Sequence, residues 1–581
     1  MTREEILSGL HESPKVDVCV VGGGINGISV FRELTLQGLS VVLVEKHDYC
    51  SGASAALSRM VHGGLRYLEN GEFSLVKESL VERDRLLRNA PHLVHPLPTT
   101  VPVFGVFSGL ANSIVRFLGL SRKPSRRGAI VVKAGLSIYD YLTRKRALMP
   151  KHHFRGRRAT LDKWPALNPA VKSSATYYDA WVKQPERIGI ELLQDGFSAG
   201  PNARALNYAE LQSQGNGCFT VLDHINGTRT PIQPTLIVNA TGGWIDIANE
   251  TLLPEASHGA PLLGGTKGSH LIIENDALRN ALGEHMLYYE NEDGRICILF
   301  PYLGKVLVGS TDIRIDNPEE AICSPDERDY ILQSLGFVLP DIKIEPPDIV
   351  FQFSGVRPLP ASKDNFTGRI PREHYCTFIE PTGIGHTGVN PPILCMIGGK
   401  WTTFRSFGAL AADLVLQRLN RPRLVGTTDR AIGGGRNYPA NSDAWIAHLI
   451  AKTGLPETRI AVLFQRYGTD AQAIAEFIGQ EPDQLLPCAD YSVRELRYLI
   501  KSEAVEHLDD LLLRRTTLAI SGQLSLEMTD AALDLLAQEK RWPPTQKSNE
   551  RSRFLRLLHE RHSVGLDILN DRNKQGVDHA W

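Results

Sequence analysis

Apolar and polar positions divide the chain into stretches with three different patterns. Up to about residue 90, short apolar runs such as 16–21 and 41–44 alternate with stretches of helical periodicity. Between about 205 and 375 the apolar runs become short and β-like, whereas 440–570 carries helical patterns and few strand signals. These periodicities predict an α/β layer, a second domain built on a sheet and a helical C-terminal domain.

A glycine-rich turn lies between the first apolar run and the first helical stretch. Gly22 suits a tight turn, Gly24 lets backbone N–H groups approach a pyrophosphate, and Gly27 lets the helix pack closely on the strand. Glu45 ends the next apolar run, where a carboxylate suits ribose hydroxyls and would repel the 2′-phosphate of NADP. Strand, turn, helix, strand and acid in this order predict a dinucleotide site for FAD or NAD.

Composition limits the class of protein. With 581 residues the chain is long enough for two or three domains, and its net charge of −1 gives no overall attraction for nucleic acid. The eight cysteines lack metal-type spacing, so we expect reduced thiols and no metal site. The charged N-terminus lacks the apolar core of a signal peptide, and no apolar run approaches membrane-spanning length. We expect a cytoplasmic protein, peripheral on the inner face of the cell membrane.

A basic segment supports the membrane expectation. Between residues 116 and 158, arginines and lysines are interleaved with Phe, Leu and Tyr. Basic residues beside apolar ones suit an anionic membrane surface. A solvated basic loop between domains is an equally good interpretation, because Gly and Pro interrupt the helical periodicity.

Further motifs favour a flavin. The run 238–244 places a small-residue turn after a β-run, where a chain end can pass close to a cofactor. Residues 397–403 open a helix whose free N–H groups suit a flavin carbonyl. In 58–68 a glycine pair is framed by His, Arg and Tyr, a segment able to bend tightly and present a cation.

Together these motifs resemble the FAD-dependent glycerol-3-phosphate dehydrogenase family of the aerobic, quinone-linked type. The likeness runs in order over about the first 410 residues, with a weaker echo in 491–500. It rests on VVGGGINGI (20–28), SRMVHGGLRYLENGEFSLVKESL (58–80), VNATGGW (238–244), KGSH (267–270), GSTD (309–312), SGVRPL (354–359) and GGKWTTFR (398–405).

The resemblance implies an α/β fold: a glycine-oxidase-like, Rossmann-type FAD-binding domain, a β-rich substrate domain and a helical C-terminal domain. We expect the FAD-binding domain in 1–95, 236–250 and 386–425, the substrate domain in 96–235 and 251–385, and the C-terminal domain in 426–581. The implied cofactor-binding residues are Gly22, Gly24, Asn26, Gly27, Glu45, Ser54, Ser58, His62, Gly63, Gly64, Ala240, Thr241, Gly242, Gly399, Lys400, Trp401 and Thr402.

The family reaction is the oxidation of sn-glycerol 3-phosphate to dihydroxyacetone phosphate, with hydride transfer to flavin N5 and electrons passed to a membrane quinone. An arginine fork suits a dianionic phosphate. The resemblance makes Arg66 the leading phosphate ligand, with Tyr67 beside it. Arg372 is similar to a second family arginine, although nearby Arg369 also fits, and Lys400 adds charge at the same end. The alternative interpretation is that each of these cations is an ordinary solvated surface residue.

The resemblance also implies the catalytic groups. His270 in KGSH is the expected base, because a neutral imidazole is the natural proton acceptor near neutral pH. A histidine entering a strand is alternatively a packed core residue. Arg357 in SGVRPL is expected to favour the alkoxide by its charge. For His62 a structural or flavin-adjacent role is expected.

Two departures from the family keep the substrate open. The run 181–187 stands where many members carry an Asp-Asp-Ala-Arg-like sequence, and 51–57 has fewer hydroxyls than is usual around flavin phosphates. A related polyol phosphate is therefore an alternative substrate. Apart from these departures, the residues also leave open O₂ as electron acceptor and amine or amino-acid oxidation on the same fold. A flavoprotein that binds or modifies RNA is the alternative of another class, which the net charge disfavours. A homodimer is also compatible with the sequence.

Overall fold

The structure is a computed structural model that describes residues 1–64, 72–105, 149–215, 217–253, 260–361, 372–380, 390–487 and 490–574. The strands are β1 (Lys15–Val21), β2 (Val41–Val44), β3 (Met60–Val61), β4 (Val94–Val103), β5 (His153–Gly156), β6 (Ser173–Val182), β7 (Ala203–Leu206), β8 (Ala209–Ser213), β9 (Phe219–Asp223), β10 (Arg229–Asn239), β11 (Thr266–Ile273), β12 (Met286–Glu290), β13 (Ile296–Tyr302), β14 (Lys305–Gly309), β15 (Ile313–Arg314), β16 (Ile349–Arg357), β17 (Tyr375–Ile379) and β18 (Ile393–Ile397).

The α-helices are Arg3–Glu12, Ile25–Thr35, Phe73–Asn89, Arg157–Lys163, Pro185–Phe197, Ile245–Leu252, Asp276–Leu282, Pro325–Val338, Phe404–Arg418, Ser442–Thr453, Glu457–Tyr467, Ala471–Ile478, Val493–Ser502, Leu526–Lys540, Pro544–His562 and Leu566–Lys574. A π-helical turn spans Asp510–Arg515.

The first sheet is the predicted nucleotide layer. Its strand order is β17-β18-β10-β1-β2-β7, and the pairs from β18 to β7 are parallel. Val21 at the end of β1 lies between Val44 of β2 and Asn239 of β10. The carboxyl ends of these parallel strands therefore meet where the glycine turn begins, which is where open α/β sheets bind ligands.

Helices cover both faces of this sheet. Ile25–Thr35 packs between Pro185–Phe197 and Phe404–Arg418 in one core. Close approach depends on glycine, since a Cβ at Gly408 would lie 2.2 Å from Ser29 Oγ. Arg3–Glu12 contributes to a second core on the opposite face. The buried parallel strands explain the continuous apolar runs seen in the sequence.

The second sheet is mixed and mainly antiparallel. Its order is β15-β11-β14-β13-β12-β4-β6-β3, with β16 on β11 and β5 on β6. The two-residue strand β3 pairs with β6, so the chain leaves the first sheet after β2 and reaches the second sheet at Met60. This sheet is the predicted β-rich substrate domain.

In the structure, most of the stretch 183–235 packs on or pairs with the first sheet rather than the second. That stretch was assigned to the substrate domain, but Pro185–Phe197 packs on the first sheet, β7 pairs with β2, and the β8–β9 hairpin extends from β10. Alternating apolar residues identify a strand, whereas the choice of sheet depends on pairing between residues far apart in sequence. Sequence periodicity therefore does not decide which sheet these strands join.

The C-terminal helices share a hydrophobic core with the second sheet. Phe351 and Phe353 of β16 and Phe300 of β13 pack with side chains such as Leu536 and Phe554 from those helices. The helices thus cover the face of the sheet opposite Pro325–Val338, which belongs to a separate core.

The basic segment predicted to meet the membrane lies only partly within the described residues. Most of 116–158 lies outside the described residues, while β5, which holds the stretch 153–156, pairs with β6. Within the ranges that the structure describes, no helix has the length and apolar character needed to span a bilayer.

Candidate active site

The glycine turn is built by close backbone contacts. Gly22 has φ +104°, and a Cβ there would lie 2.8 Å from the carbonyl carbon and oxygen of Ala240. A Cβ at Gly27 would lie 1.9 Å from the carbonyl oxygen of Gly22. The N–H of Ile25 donates to Ser54 Oγ at 2.9 Å, which ties the helix start to the following loop. These positions therefore require glycine for packing.

Glu45 closes the turn from the other side. Its Oε2 accepts from the N–H of Gly23 at 2.6 Å, and its Oε1 accepts from the N–H of His47 at 2.8 Å. Burial raises the pKa of Glu45, and these two N–H groups oppose the rise. A carboxylate has about four acceptor positions, so Glu45 can order the turn and still accept ribose hydroxyls.

A cavity of about 720 Å³ lies beside this turn. Residues from the glycine turn, the loop 51–60, both sheets and the C-terminal helices line it. The predicted site residues among its lining are Gly22, Gly24, Asn26, Glu45, Ser54, Ser58, His62, Ala240, Thr241, Gly242, His270, Arg357, Arg372, Gly399, Lys400, Trp401 and Thr402. Gly27, Gly63 and Gly64 lie outside the lining. Arg66, Tyr67 and Arg369 lie outside the described residues.

The cavity has the features that a dinucleotide needs. Its volume is in the range of ligand and cofactor sites. Asn26 Oδ1 and Trp401 Nε1 are buried and have no hydrogen-bond partner among the described residues. Buried polar atoms are normally paired, so both are suited to partners supplied by a ligand. The helix Ile25–Thr35 begins at Gly24, which has no side chain to cap it. Ser54 takes the N–H of Ile25, and the next N–H groups of the first turn are suited to phosphate. These residues fit FAD.

His270 occupies a slot between two strands. On β11 it lies opposite Gly309 of β14 and Phe353 of β16. Its ring stacks on Phe353 at 5.0 Å and 11°, and a Cβ at Gly309 would lie 2.3 Å from His270 Cδ2. Glycine on one side and an aromatic ring on the other thus fix the imidazole plane.

The imidazole of His270 is neutral in this slot. The residue is 2% exposed, and neither ring nitrogen has a hydrogen-bond partner among the described residues. Burial, together with the charges of Arg357 and Arg59, lowers its pKa to about 3. A buried, unprotonated imidazole on a cavity wall is available to accept a proton.

Arg357, at the end of β16, is held by the GSTD segment. Its Nη1 donates to Asp312 Oδ1 at 2.9 Å, and its Nη2 donates to Ser310 Oγ and the Thr311 carbonyl at 3.2 Å each. A Cβ at Gly268 would lie 2.1 Å from Nη2, so the guanidinium passes directly over that glycine. The charge next to His270 therefore has a fixed place.

A second group of cations contributes to the cavity lining. Lys400 Nζ donates to Ser79 Oγ at 2.9 Å and to the carbonyl of His62 at 3.4 Å. Burial and then the charges of Lys400 and Arg372 hold the pKa of His62 well below its usual value. His62 is therefore neutral, and Arg372 and Lys400 give this part of the cavity a positive potential.

Sequence reasoning missed a buried ion pair in the lining. Arg59 Nη2 lies 3.1 Å from Glu186 Oε1, and its guanidinium lies over the ring of Tyr302 at 5.2 Å. Glu186 belongs to the run that departs from the family pattern. In the same run, Gln184 Nε2 donates to the Arg514 carbonyl and Arg187 pairs with Glu503. This run thus contacts the C-terminal helices, a role that no local signal indicated.

The cavity also has a wall from the C-terminal helices, which the sequence did not predict. Arg514, Arg553, Arg561 and His562 line it, and His562 stacks on Phe351 at 4.3 Å. These residues are some 500 positions from the glycine turn in sequence, so only the folded chain brings them together.

Two sheets of this topology, with a glycine turn at the carboxyl ends of parallel strands, define a dinucleotide-dependent enzyme class. Residues 17–404 match the model of the FAD dependent oxidoreductases, and 425–547 match the C-terminal domain of alpha-glycerophosphate oxidase. The fold and the cleft are therefore those of an FAD-dependent oxidoreductase.

Individual proteins agree with this class. A glycerol-3-phosphate dehydrogenase of Synechocystis sp. is 31% identical over 524 residues, covering 87% of this chain and 89% of that protein. An aerobic glycerol-3-phosphate dehydrogenase of Staphylococcus epidermidis is 27% identical, covering 94% and 95%. The solved glycerol-3-phosphate dehydrogenase of Bacillus halodurans, complexed with FAD, shares the fold at a TM-score of 0.73 and 22% identity, covering 96% and 97%. The chain belongs to the FAD-dependent glycerol-3-phosphate dehydrogenase family, which confirms the predicted family, fold class and cofactor.

Proposed function

We propose that this protein oxidises sn-glycerol 3-phosphate to dihydroxyacetone phosphate and passes the electrons to a membrane quinone. The observation that carries the proposal is one cavity whose lining includes a neutral imidazole with no hydrogen-bond partner among the described residues, a fixed guanidinium, and the cations Arg372 and Lys400. Oxidation of a phosphorylated secondary alcohol requires a proton acceptor, a positive charge near the developing oxyanion, and cations that bind the phosphate.

Arg372 and Lys400 are the proposed phosphate-binding residues of the described chain. Both line the cavity, and their charges reach His62 strongly enough to lower its pKa. A dianion gains most from cations that the protein has already positioned. Arg66 and Tyr67 are proposed as further ligands on the strength of the family resemblance alone.

His270 is the proposed base for the alcohol proton, and Arg357 the proposed stabiliser of the alkoxide oxygen. FAD, when bound, accepts the hydride from the carbinol carbon. Burial, and then the charges of Arg357 and Arg59, lower the pKa of His270 to about 3, so it is a weak base before substrate binds. The dianionic substrate would offset the charges of Arg357 and Arg59 and so raise that pKa towards the working range. Substrate binding would thus activate its own base.

The quinone acceptor and the location on the inner membrane face are proposed from the family type and from the basic segment 116–158. Oxygen consumption and reduction of a soluble quinone analogue, measured side by side, test the acceptor. Co-sedimentation with anionic vesicles tests the membrane surface. A homodimer stays a prediction that light scattering can measure.

Anaerobic stopped-flow bleaching of the bound flavin tests the substrate proposal. Glycerol 3-phosphate should bleach the flavin rapidly, whereas glycerol should bleach it far more slowly and erythritol phosphate and amino acids should leave it oxidised. Bleaching by erythritol phosphate instead would show that the substrate is a different polyol phosphate. Bleaching by an amino acid would overturn the phosphate roles.

A further inference from the structure

A buried charge cluster joins the C-terminal helices to the cofactor region of the first sheet. Asp48 is 1% exposed and receives hydrogen bonds from Arg515 Nη1 and Nη2 at 2.8 Å each. Arg514 Nε donates to the same carboxylate, and Asn207 Nδ2 completes its partners at 3.1 Å. Both arginines belong to the π-helical turn Asp510–Arg515. We refer to Asp48, Arg514 and Arg515 as the Asp48 cluster.

Asp48 lies within the segment that forms the cofactor side of the cavity. It follows Glu45 by three residues, and its carbonyl accepts from the N–H of Ser51 at 3.2 Å. The N–H of Cys50 donates to the Gly23 carbonyl at 2.9 Å, and Ser54 holds the first N–H of the helix after the glycine turn. The segment 46–58 is therefore bonded to the glycine turn on one side and to the C-terminal helices on the other.

The cluster is strong enough to fix that segment. A buried carboxylate without partners would be protonated or would open the structure to water. Here burial raises the pKa of Asp48, but the charges of Arg515 and Arg514 outweigh it and keep the pKa below its usual value. The two arginines therefore act on an ionised Asp48, and removing either side would leave buried charge without compensation.

A second buried ion pair at the same junction provides a comparison. Arg187 of Pro185–Phe197 pairs with Glu503, and its guanidinium lies over the ring of Tyr467 at 5.0 Å. Neither Arg187 nor Glu503 lines the cavity. Glu503 contacts Arg515, which donates to its carbonyl at 2.9 and 3.1 Å and lies 3.9 Å from its Oε2, but Glu503→Gln keeps that carbonyl and the bonds from Arg515 to Asp48. Neither Arg187 nor Glu503 contacts 46–58 in the described bonds. The Asp48 cluster and the Arg187–Glu503 pair thus join the same domains, but only the cluster includes a residue of the segment 46–58.

We propose that the C-terminal helical domain takes part in holding the FAD, with Arg514, Arg515 and Asp48 as positioning residues that set the segment 46–58 against the dinucleotide. The domain is then more than a cover for the second sheet. When the cluster is broken, the helices stay attached through Arg187 and the shared core, but the loop beside the glycine turn is released.

Titration of the FAD-free protein with FAD, followed by quenching of flavin fluorescence, tests this proposal without any substrate. Asp48→Asn and Arg514→Lys should each weaken FAD binding by about tenfold, the change expected for roughly one lost hydrogen bond. Glu503→Gln is the matched control: it breaks a buried pair at the same junction and should leave FAD affinity within about twofold of the parent.

The unfolding midpoint of each FAD-free variant separates positioning from simple support. All three variants should unfold at lower temperature, and only the cluster variants should lose FAD affinity. If Asp48→Asn does not fold, Arg514→Lys keeps a positive charge opposite Asp48 and carries the test. Equal FAD affinity in Arg514→Lys and Glu503→Gln would overturn the proposal. That result would leave the proposed oxidation of glycerol 3-phosphate untouched.

Discussion

Arg357 and Asp312 form an ion pair at 2.9 Å that fixes a guanidinium beside the candidate base. Arg357 reaches the pair from the end of β16, passing over Gly268, and Asp312 belongs to the segment that follows β14. The pair therefore joins two elements of the second sheet at the cavity wall. A charge meant for a developing oxyanion is effective only if its position is set before the reaction.

Loss of this pair should slow the reaction more than it weakens binding. In Asp312→Asn, Arg357 keeps its charge but loses the carboxylate of Asp312, and we expect flavin reduction at saturating substrate to fall by about 10- to 100-fold. Rapid-mixing measurements over a range of substrate concentrations separate the maximal rate from apparent affinity. Asp316→Asn, at an exposed aspartate, is the control. A change confined to apparent affinity would contradict this account.

His270→Ala should remove the proton acceptor. The expected fall in flavin reduction rate at saturating glycerol 3-phosphate is about 10²- to 10⁴-fold, the range of general-base contributions. His448, an exposed histidine of the C-terminal helices, gives the matched His448→Ala control with an unchanged rate. If the two alanine variants reduce flavin equally fast, His270 is only a packed residue of β11.

Arg357→Gln should raise the pKa of His270. In the folded protein burial lowers that pKa to about 3, and Arg357 is the first of the charges that lower it further. Removing this charge leaves burial and Arg59, so the pKa should move from about 3 towards its ordinary value of 6.5. Histidine-selective NMR between pH 3 and about 7 measures the shift. A pKa that does not move would mean that burial alone keeps the ring neutral.

Gly309→Ala should displace the imidazole, because the new Cβ would lie 2.3 Å from His270 Cδ2. We expect a loss of about 1–3 kcal/mol in the free energy of unfolding and slower flavin reduction. Gly336→Ala is the control, since a Cβ there meets nothing within 4 Å and the helix Pro325–Val338 should become slightly more stable. Denaturant unfolding of both variants measures the free energy of unfolding, and rapid mixing measures the rate of flavin reduction. Full activity in Gly309→Ala would show that the slot adapts.

Arg372→Gln should raise KM for glycerol 3-phosphate far more than KM for unphosphorylated glycerol, by about tenfold or more. Arg66→Ala should behave in the same way if it is the leading phosphate ligand. Steady-state assays with both substrates measure the difference. If a variant changes KM for the two substrates equally, the arginine replaced in it does not bind the phosphate.

Local chemistry explains which parts of the site the sequence predicted. Gly22 and Glu45 lie in short motifs that indicate a nucleotide turn by themselves. His270 is predicted only through the family resemblance, because the distant residues Gly309 and Phe353 build its slot. The cavity lining includes all three predicted residues. Arg59 and Glu186 are separated by 127 positions, and Asp48 and Arg515 by 467. Such pairs leave no periodic trace in the sequence, because burial of a charge depends on the partner that folding supplies. The same reason explains why periodicity does not indicate which sheet the strands β7 to β9 join.

The core shared by the second sheet and the C-terminal helices has a consequence for synthesis of the chain. Phe351 and Phe353 leave the ribosome well before Phe554, which packs in the same core. At about 5–20 residues per second, that delay lasts roughly 10 to 40 seconds. During this interval one face of the second sheet has no cover. The nascent chain therefore passes through a stage in which an apolar sheet face is open to water, and such exposed surface favours aggregation.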